Sequence, residues 1–370
     1  MLIVLFIIAL AFLILAHEFG HFWSAKKSGV RVDEFGIGYP PRIFGVKRGE
    51  TLYSINALPF GGFVKIYGED GEETGPGSFF SKSIAKRSII ISAGVIANII
   101  VAFILFSFIL WFGFPILLNA DGSIPDAIST AGVFGATIDD QNVEIAGVSE
   151  NSPAQLSGLQ ARDVVIGMSY NNEHITISNS DDIKQFVSSH ISNEITIEFL
   201  RDDAKQNAVV IPRANPPEGE GAIGIYMGDY GTIRIPWYAA PIAGLELTIK
   251  YTIAVIKALG QLIGSFIWDI EKPAGEVRGP VGIVSLALEF GRAGVSQFLG
   301  FIASLSMSLA IINILPIPAL DGGRLFFLLV EKIKGSPVNP RISYIAHSAG
   351  FLILIALLLL VTWRDIARLL

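Results

Sequence analysis

Four stretches of the chain are apolar for long enough to cross a bilayer, which takes about 20 mostly apolar residues. The first runs from Met1 to about Ala25, the second from Ser88 to about Leu118, the third from Ala293 to Leu320, and the fourth from about Tyr344 to Trp363. The second and third carry no charge, and the second holds a single amide, Asn98. No basic segment precedes the first stretch, whose first lysine is Lys26, so a retained span is expected rather than a cleaved signal peptide. Residues 241–270 also show apolar positions at helical spacing. Glu246, Lys250 and Lys257 interrupt them, which suits a helix lying on the membrane surface better than one crossing it.

Between the second and third stretches the pattern changes. "ITIEFL" (195–200) and "NAVVIP" (207–212) read as short strands, and "SDDIKQFVSSH" (180–190) as a capped amphipathic helix. After the first span, "FGIGYP" (35–40) and "ALPFGGFVKIYG" (57–68) alternate and are rich in glycine. They predict a β-hairpin region over 31–68 that dips toward the membrane, where irregular backbone is tolerated only if protein or water satisfies it. The expected organisation is 1–118 for spans one and two with the hairpin, and 119–215 for a water-soluble domain. Residues 216–292 follow as linker and surface helix, and 293–370 as spans three and four. The fold class is therefore a polytopic α-helical membrane protein with four transmembrane helices, a membrane-associated β-hairpin and one extracytoplasmic α+β domain.

Composition agrees. Of 370 residues, 51% are hydrophobic and only 16% charged, too apolar for an ordinary soluble enzyme. With no cysteine, disulfides, thiolate metal sites and a thiol nucleophile are excluded. A net charge of −6 leaves no nucleic-acid footprint. The placement of charge says more than its total. Lys26, Lys27, Arg31, Arg42, Lys47, Arg48, Lys65, Lys82, Lys86 and Arg87 follow span one, and Arg324, Lys332, Lys334 and Arg341 link spans three and four. The segment after span two opens acidic, with Asp121, Asp139, Asp140, Asp163, Asp181 and Asp182. Basic loops stay in the cytoplasm, so both termini and residues 119–292 are expected outside.

The end of span one carries the candidate chemistry. His17-Glu18-Phe19-Gly20-His21 has the spacing His-Glu-x-x-His. On a helix of about 3.6 residues per turn, positions i and i+4 share a face, so both imidazoles can bind one zinc ion. Zinc lowers the pKa of a coordinated water toward about 7, and Glu18 is placed to exchange that proton as acid/base. Ionisable residues inside an apolar span are costly, which argues against packed histidines met by chance. A catalytic zinc takes a third protein ligand and keeps one open position. No acidic or histidine ligand follows His21 within a turn or two, His174 and His190 fall in the outer domain, and His347 opens span four. Asp321, in "NILPIPALDGGR", is the better candidate, because spans one and three both run inward and their inner ends can meet. Asp-Gly-Gly is also turn chemistry, but beside two histidines the ligand reading is preferred. Asn98 and Asn313 are candidates to line a polar path to the metal, or equally amides that pack helix on helix.

Two resemblances extend this reading. "GVSENSPAQLSGLQARDVVIGMSYNNEHI" (147–175) resembles a PDZ domain, with Ser157 where alanine is usual and Arg162 where glycine precedes Asp163. The alternative is a small structural domain without a ligand; a PDZ domain implies a peptide or protein C-terminus added as a strand. Over the whole chain, "HEFGHFW", "FGIGYP", "LPFGGFVKIYG", "AGVIAN", the PDZ-like insert, "GPVGI" and "NILPIPALDGGR" occur in order. That set resembles the site-2 protease family of intramembrane metalloproteases, on the branch of the bacterial regulator of sigma-E protease. The resemblance implies one Zn2+ on His17, His21 and Asp321, with Glu18 as catalytic acid/base. It implies that Asn313 lies beside the active site, holding substrate or the oxyanion. It also implies that the hairpin around Gly61, Gly62 and Phe63 presents an edge to substrate. The activity implied is cleavage of single-pass transmembrane proteins, such as anti-sigma factors, within or near their membrane segment, by a multi-pass protein of the bacterial cytoplasmic membrane. One departure stands out: a single PDZ unit, where Gram-negative relatives carry two. Two rivals are a zinc protease merely anchored by span one and cutting soluble proteins, and a non-enzymatic PDZ scaffold. The first needs a third ligand close after His21, and the second gives no reason for Glu18 or Asp321.

Overall fold

A computed structural model describes residues 1–69, 75–119, 123–125, 128, 135–201, 204–268 and 278–367. Asp121 of the acidic segment and residues 269–277 of the expected linker lie outside them. The chain divides into two compact units, Met1–Phe108 with Gly244–Leu370, and Ile109–Ala243.

The first unit opens with α1 (Leu2–Lys27), apolar until His17. Lys26 and Lys27 in its last turn favour the negative end of the helix dipole, and Gly29 at φ +69° turns the chain away. Next come β1 (Val32–Arg48) and β2 (Thr51–Ile66), an antiparallel pair in the expected hairpin region. The register doubles: Glu34–Ile37 match Leu52–Ile55 and also the stretch from Gly62 to Lys65. Ile37, Tyr39, Ile43, Phe44, Ile55 and Leu58 are exposed on this sheet, an apolar surface out of place in water.

α2 (Ile84–Phe112) is shorter than expected. The apolar run continues to Leu118, but Gly113 at φ +119° and Pro115 end the helix, and Phe114–Leu117 form strand β3. The second unit follows, with β4 (Thr137–Val148), α3 (Pro153–Leu156), β5 (Val164–Tyr170), β6 (Glu173–Thr176) and α4 (Ser180–Ser189). β7 (Ile195–Arg201), β8 (Ala204–Val210) and β9 (Ile225–Arg234) complete it. The sheet order is β3-β9-β4-β5-β7-β8, with β6 on β5. α4 starts with a capping box, Asn179 accepting from Asp182 N while the Asp182 carboxylate accepts from Asn179 N. It sets Ile183, Phe186 and Val187 into a core with Ile145, Val165, Met168, Ile195 and Ile197. The domain is wider than 119–215. β3 and β9 belong to its sheet, so 225–234, expected in the linker, is one of its inner strands.

α5 (Ala240–Trp268) is a single helix over most of 241–270. α6 (Pro280–Ala293) and α7 (Val295–Ile314) follow, separated by Gly294 at φ +138°. α7 stops six residues before the expected Leu320. Pro316 has no N–H and disfavours helical backbone before it, and Leu315 is extended at ψ 142°. Asp321 therefore opens a new helix, α8 (Asp321–Lys334), and α9 (Pro340–Ala367) closes the chain. Among the described residues, four helices are long and apolar enough to span a membrane: α1, α2, α7 and most of α9 (Arg341–Ala367). α5 is not among them. The molecule is a polytopic helical membrane protein with an inserted sheet domain.

Inside the sheet domain the Asp163 carboxylate is buried. It accepts from Arg201 Nε at 2.7 Å, Arg201 Nη2 at 2.6 Å and Gln160 N at 2.8 Å. Asp163→Asn removes the carboxylate charge that Arg201 Nε and Nη2 grip. The expected cost is about 3 kcal/mol, the lower end for a broken buried pair because a quarter of the arginine side chain stays exposed. Denaturant unfolding of the full-length protein, followed by a probe in this domain, checks it; an unchanged midpoint contradicts the role.

Candidate metal centre

α1 brings His17 and His21 onto one face, and α2 makes room for them. Gly20 lets the two helices touch: a Cβ there would strike the Ala93 carbonyl and meet Ala97 Cβ at 3.0 Å. One residue on, Gly94 leaves a space, since a Cβ there would strike His21 Nε2 and lie 2.8 Å from His17 Nε2. The "AGVIAN" segment thus supplies contact at Ala93 and Ala97 and clearance at Gly94. Asp321 arrives from the first turn of α8.

The three side chains converge. His17 Nε2 lies 3.0 Å from Asp321 Oδ2, His21 Nε2 lies 3.2 Å from the same oxygen, and the two Nε2 atoms are 3.2 Å apart. Each ring is turned by its other nitrogen. His21 Nδ1 donates to the Ile90 carbonyl at 2.9 Å, which leaves the Nε2 lone pair facing inward. His17 Nδ1 lies 3.4 Å from Asn98 Nδ2, while the buried Asn98 Oδ1 has no hydrogen-bond partner among the described residues. A half-turn of the amide lets Oδ1 accept the His17 Nδ1–H and again frees Nε2. Two imidazole lone pairs and a carboxylate oxygen within 3.2 Å repel one another unless a cation sits among them. A tetrahedral ion about 2.0–2.1 Å from each donor sets donor separations of roughly 3.3 Å, so the set fits zinc.

A cavity of about 220 Å³ opens beside the donors, lined by His17, Glu18, Asn98, Asn313, Ala319 and Asp321 among others. Glu18 is half-buried, outside the donor triangle, and its Oε2 accepts the N–H of Val64 at 3.1 Å. The hairpin edge therefore reaches the carboxylate through Val64. Its three neighbours expected at the substrate edge make contacts of their own. Gly61 and Gly62 lie against Ile14 and Leu15 of α1, where a Cβ would come within 3.0 Å and 2.7 Å of those side chains. Phe63 covers Gly36 and stacks on Tyr39 with centroids 6.3 Å apart. None of the three is among the residues lining the cavity. His347, set aside in the sequence, accepts the Ala319 N–H through Nδ1 at 2.9 Å. Its position a few residues into a long apolar helix gives no periodic sign of that contact.

The comparisons with known proteins decide the family. The model of peptidase family M50 matches residues 5–357. The chain belongs to peptidase family M50. A Clostridium perfringens protein named as a zinc metalloprotease is 31% identical over 99% of this chain and 98% of its own. The zinc metalloprotease RasP of Bacillus licheniformis is 29% identical over 99% of both chains. The regulator of sigma-W protease RasP of Bacillus subtilis is 28% identical over 99% of this chain and 98% of its own. A solved PDZ domain of an SdrC-like protein from Listeria monocytogenes matches 25% of this chain and 92% of its own, at 20% identity and a TM-score of 0.21. As a member of this family the protein is a zinc metalloprotease embedded in a membrane.

Gly94→Ala places a methyl group in the space between the imidazoles. Zinc affinity is expected to fall by about 10–100-fold or more, the range for disturbing the groups that orient metal ligands, while the protein still folds. Chelator competition on the purified protein measures this, and native affinity would refute the clearance role of Gly94.

Proposed function

We propose that this metalloprotease cuts single-pass membrane proteins within or near their transmembrane segment, with zinc on His17, His21 and Asp321. The observation that carries the reading is the position of the donor set: inside apolar helices, beside a cavity and a sheet edge. Zinc supplies the Lewis acidity that brings the pKa of a water toward neutrality. Glu18 takes that proton and returns it to the leaving amine, a role that needs reach to the donors without belonging to them. Asn313 lines the same cavity and can donate to the carbonyl oxygen as it gains charge.

A helical peptide bond is shielded by its own hydrogen bonds, so a membrane segment must unwind before it is cut. The stretch around Gly62–Ile66 pairs with β1 on one side, and on the other Val64 offers its N–H to Glu18. A substrate strand added along that edge would take the Val64 N–H and release the Glu18 carboxylate for proton transfer. Capture and activation of the base would then be one event. The sheet's exposed apolar residues suit a hairpin lying in the membrane, and the inserted domain is read as PDZ-like, offering a strand edge to a peptide. A protease merely anchored by α1 fits less well, because Asp321 comes from the far end of the chain and joins the donors only when several membrane helices assemble. Lys47 and the other loop cations argue for the hairpin side in the cytoplasm, and the inserted domain and both termini outside.

Glu18→Gln is expected to keep zinc, the amide being nearly isosteric, and to lose at least the roughly 10²–10⁴-fold that acid–base catalysis contributes. His17→Ala is expected to lose the metal. Zinc content and cleavage of a transmembrane substrate read both; a Glu18→Gln protein cleaving at the native rate refutes the assignment. For orientation, a cysteine placed near Asp181 is expected to react with an impermeant reagent outside intact cells, and one near Lys47 to stay protected. The opposite pattern would reverse the topology.

A further inference from the structure

Asp321 is held by a loop whose shape is costly. Ala319, two residues before it, has φ +79°, a left-handed conformation that a residue with a Cβ rarely adopts. The loop is folded tightly back: Ile317 N donates to Leu315 O at 2.7 Å and Leu320 N to Ile317 O at 3.2 Å. Gly322 and Gly323 lie so close to it that a Cβ on either would strike carbonyls of residues 314, 315 or 317. Such backbone persists only when its surroundings over-determine it. The last membrane helix supplies that constraint. His347 on α9 accepts the Ala319 N–H through Nδ1 at 2.9 Å, and its ring packs on Phe327 with centroids 5.4 Å apart. One turn on, Gly350 lets α9 press against the same loop, for a Cβ there would lie 2.5 Å from Pro318 O and 2.7 Å from Pro318 Cβ. Near its other end α9 is tied to α6, where the buried Asp365 accepts the Gly282 N–H at 2.7 Å.

We propose that His347 is a positioning residue for the metal centre. As the neutral tautomer with its proton on Nε2, it holds the Ala319 N–H, fixes the strained turn and so aims the Asp321 carboxylate at His17 and His21. α9 thereby acts on the metal centre without contributing a ligand. The inference rests on Asp321 being a zinc ligand, so the two claims need separate tests.

Four forms of the full-length protein in detergent serve: native, Asp321→Ala, His347→Phe and His347→Asn. Phenylalanine keeps the ring against Phe327 but cannot accept. Asparagine places an acceptor oxygen on Cγ, where Nδ1 stood. Chelator competition gives zinc affinity, the cobalt(II) absorption spectrum reports coordination, and thermal melting in chelator reports the fold without metal. His347→Phe is expected to weaken zinc by about 10–100-fold, to alter the cobalt bands and to melt like the native protein in chelator. His347→Asn is expected to restore native affinity and spectrum. Native zinc affinity and spectrum in His347→Phe would overturn the inference. Equal loss in the Phe and Asn variants would also overturn it, since ring shape rather than the acceptor would then matter, as would a loss matched by a lower melting point in chelator. If Asp321→Ala binds zinc normally, the ligand assignment itself fails; if it does not while His347→Phe does, only the present inference fails.

Discussion

Two buried imidazoles and a partly buried carboxylate among apolar helices can remain there only if they satisfy one another or a shared cation. That constraint organises the rest of the membrane unit. His17 and His21 cannot turn outward, because the neighbouring faces of α1 carry exposed Phe12, Phe19 and Trp23, suited to lipid. They turn toward α2, and α2 must then be small where they enter, which accounts for Gly94 and for the direct contact of Gly20 with Ala93. Asp321 has to come from elsewhere, and it comes from the first turn of α8, where the positive helix end favours a carboxylate. Apolar clusters on either side keep this arrangement in place. Phe6 and Leu13 pack with Phe298 and Ile302 toward one end of α1, and Ala25, Val32, Ile90 and Leu328 pack together toward the other. The polar centre is thus a narrow layer between two hydrophobic ones.

How much of this could be read in advance depends on whether a feature is local. The i, i+4 histidines are local to one helix, so their shared face follows from helical geometry alone. Asp321 is 304 residues from His17. Sequence reasoning reaches it only by requiring a third ligand near the inner end of another span. The ends of the spans were less legible, because apolarity and helicity are different properties. Residues 113–118 and 315–320 are as apolar as the helices before them, and only proline and glycine stop the backbone. β9 was hidden for another reason. It is separated from β8 by a stretch rich in proline and glycine, so nothing local ties it to a sheet whose pairing is long-range. The roles of Gly61 and Gly62 illustrate the same limit. Both pack β2 onto α1 one turn before the histidines, a contact between elements far apart in sequence.

The placement of Glu18 brings these strands of argument together. A carboxylate that must exchange protons cannot be locked into the donor triangle, yet an unpaired carboxylate among apolar helices is costly. Among the described residues, the structure meets both demands by giving Glu18 the backbone N–H of Val64 as its hydrogen-bond partner. A backbone donor on a sheet edge is also the group that an incoming strand would seek. In the proposed mechanism the same hydrogen bond satisfies the base in the free protein and marks where an extended peptide would compete for it. β2 lies against α1 so closely here that a Cβ at Gly62 would come within 2.7 Å of Leu15 and 2.8 Å of the Gly36 carbonyl.

The chain order gives this centre one further property. The membrane unit is built from both ends of the chain, Met1–Phe108 and Gly244–Leu370, and the sheet domain is an insertion between them. Every residue of the donor set, its orienting partners Ile90 and Asn98, and the loop held by His347 belongs to the membrane unit. A bound ion therefore ties the first helix to the segment that follows α7, closing a loop of some three hundred residues whose ends would otherwise rely on packing alone. Because the insert contributes no side chain to the donors, its strands and loops can change without altering the distances on which metal binding depends. Changes to Ala319, His347 or Gly350 have no such freedom, since they act on the carboxylate that closes the loop.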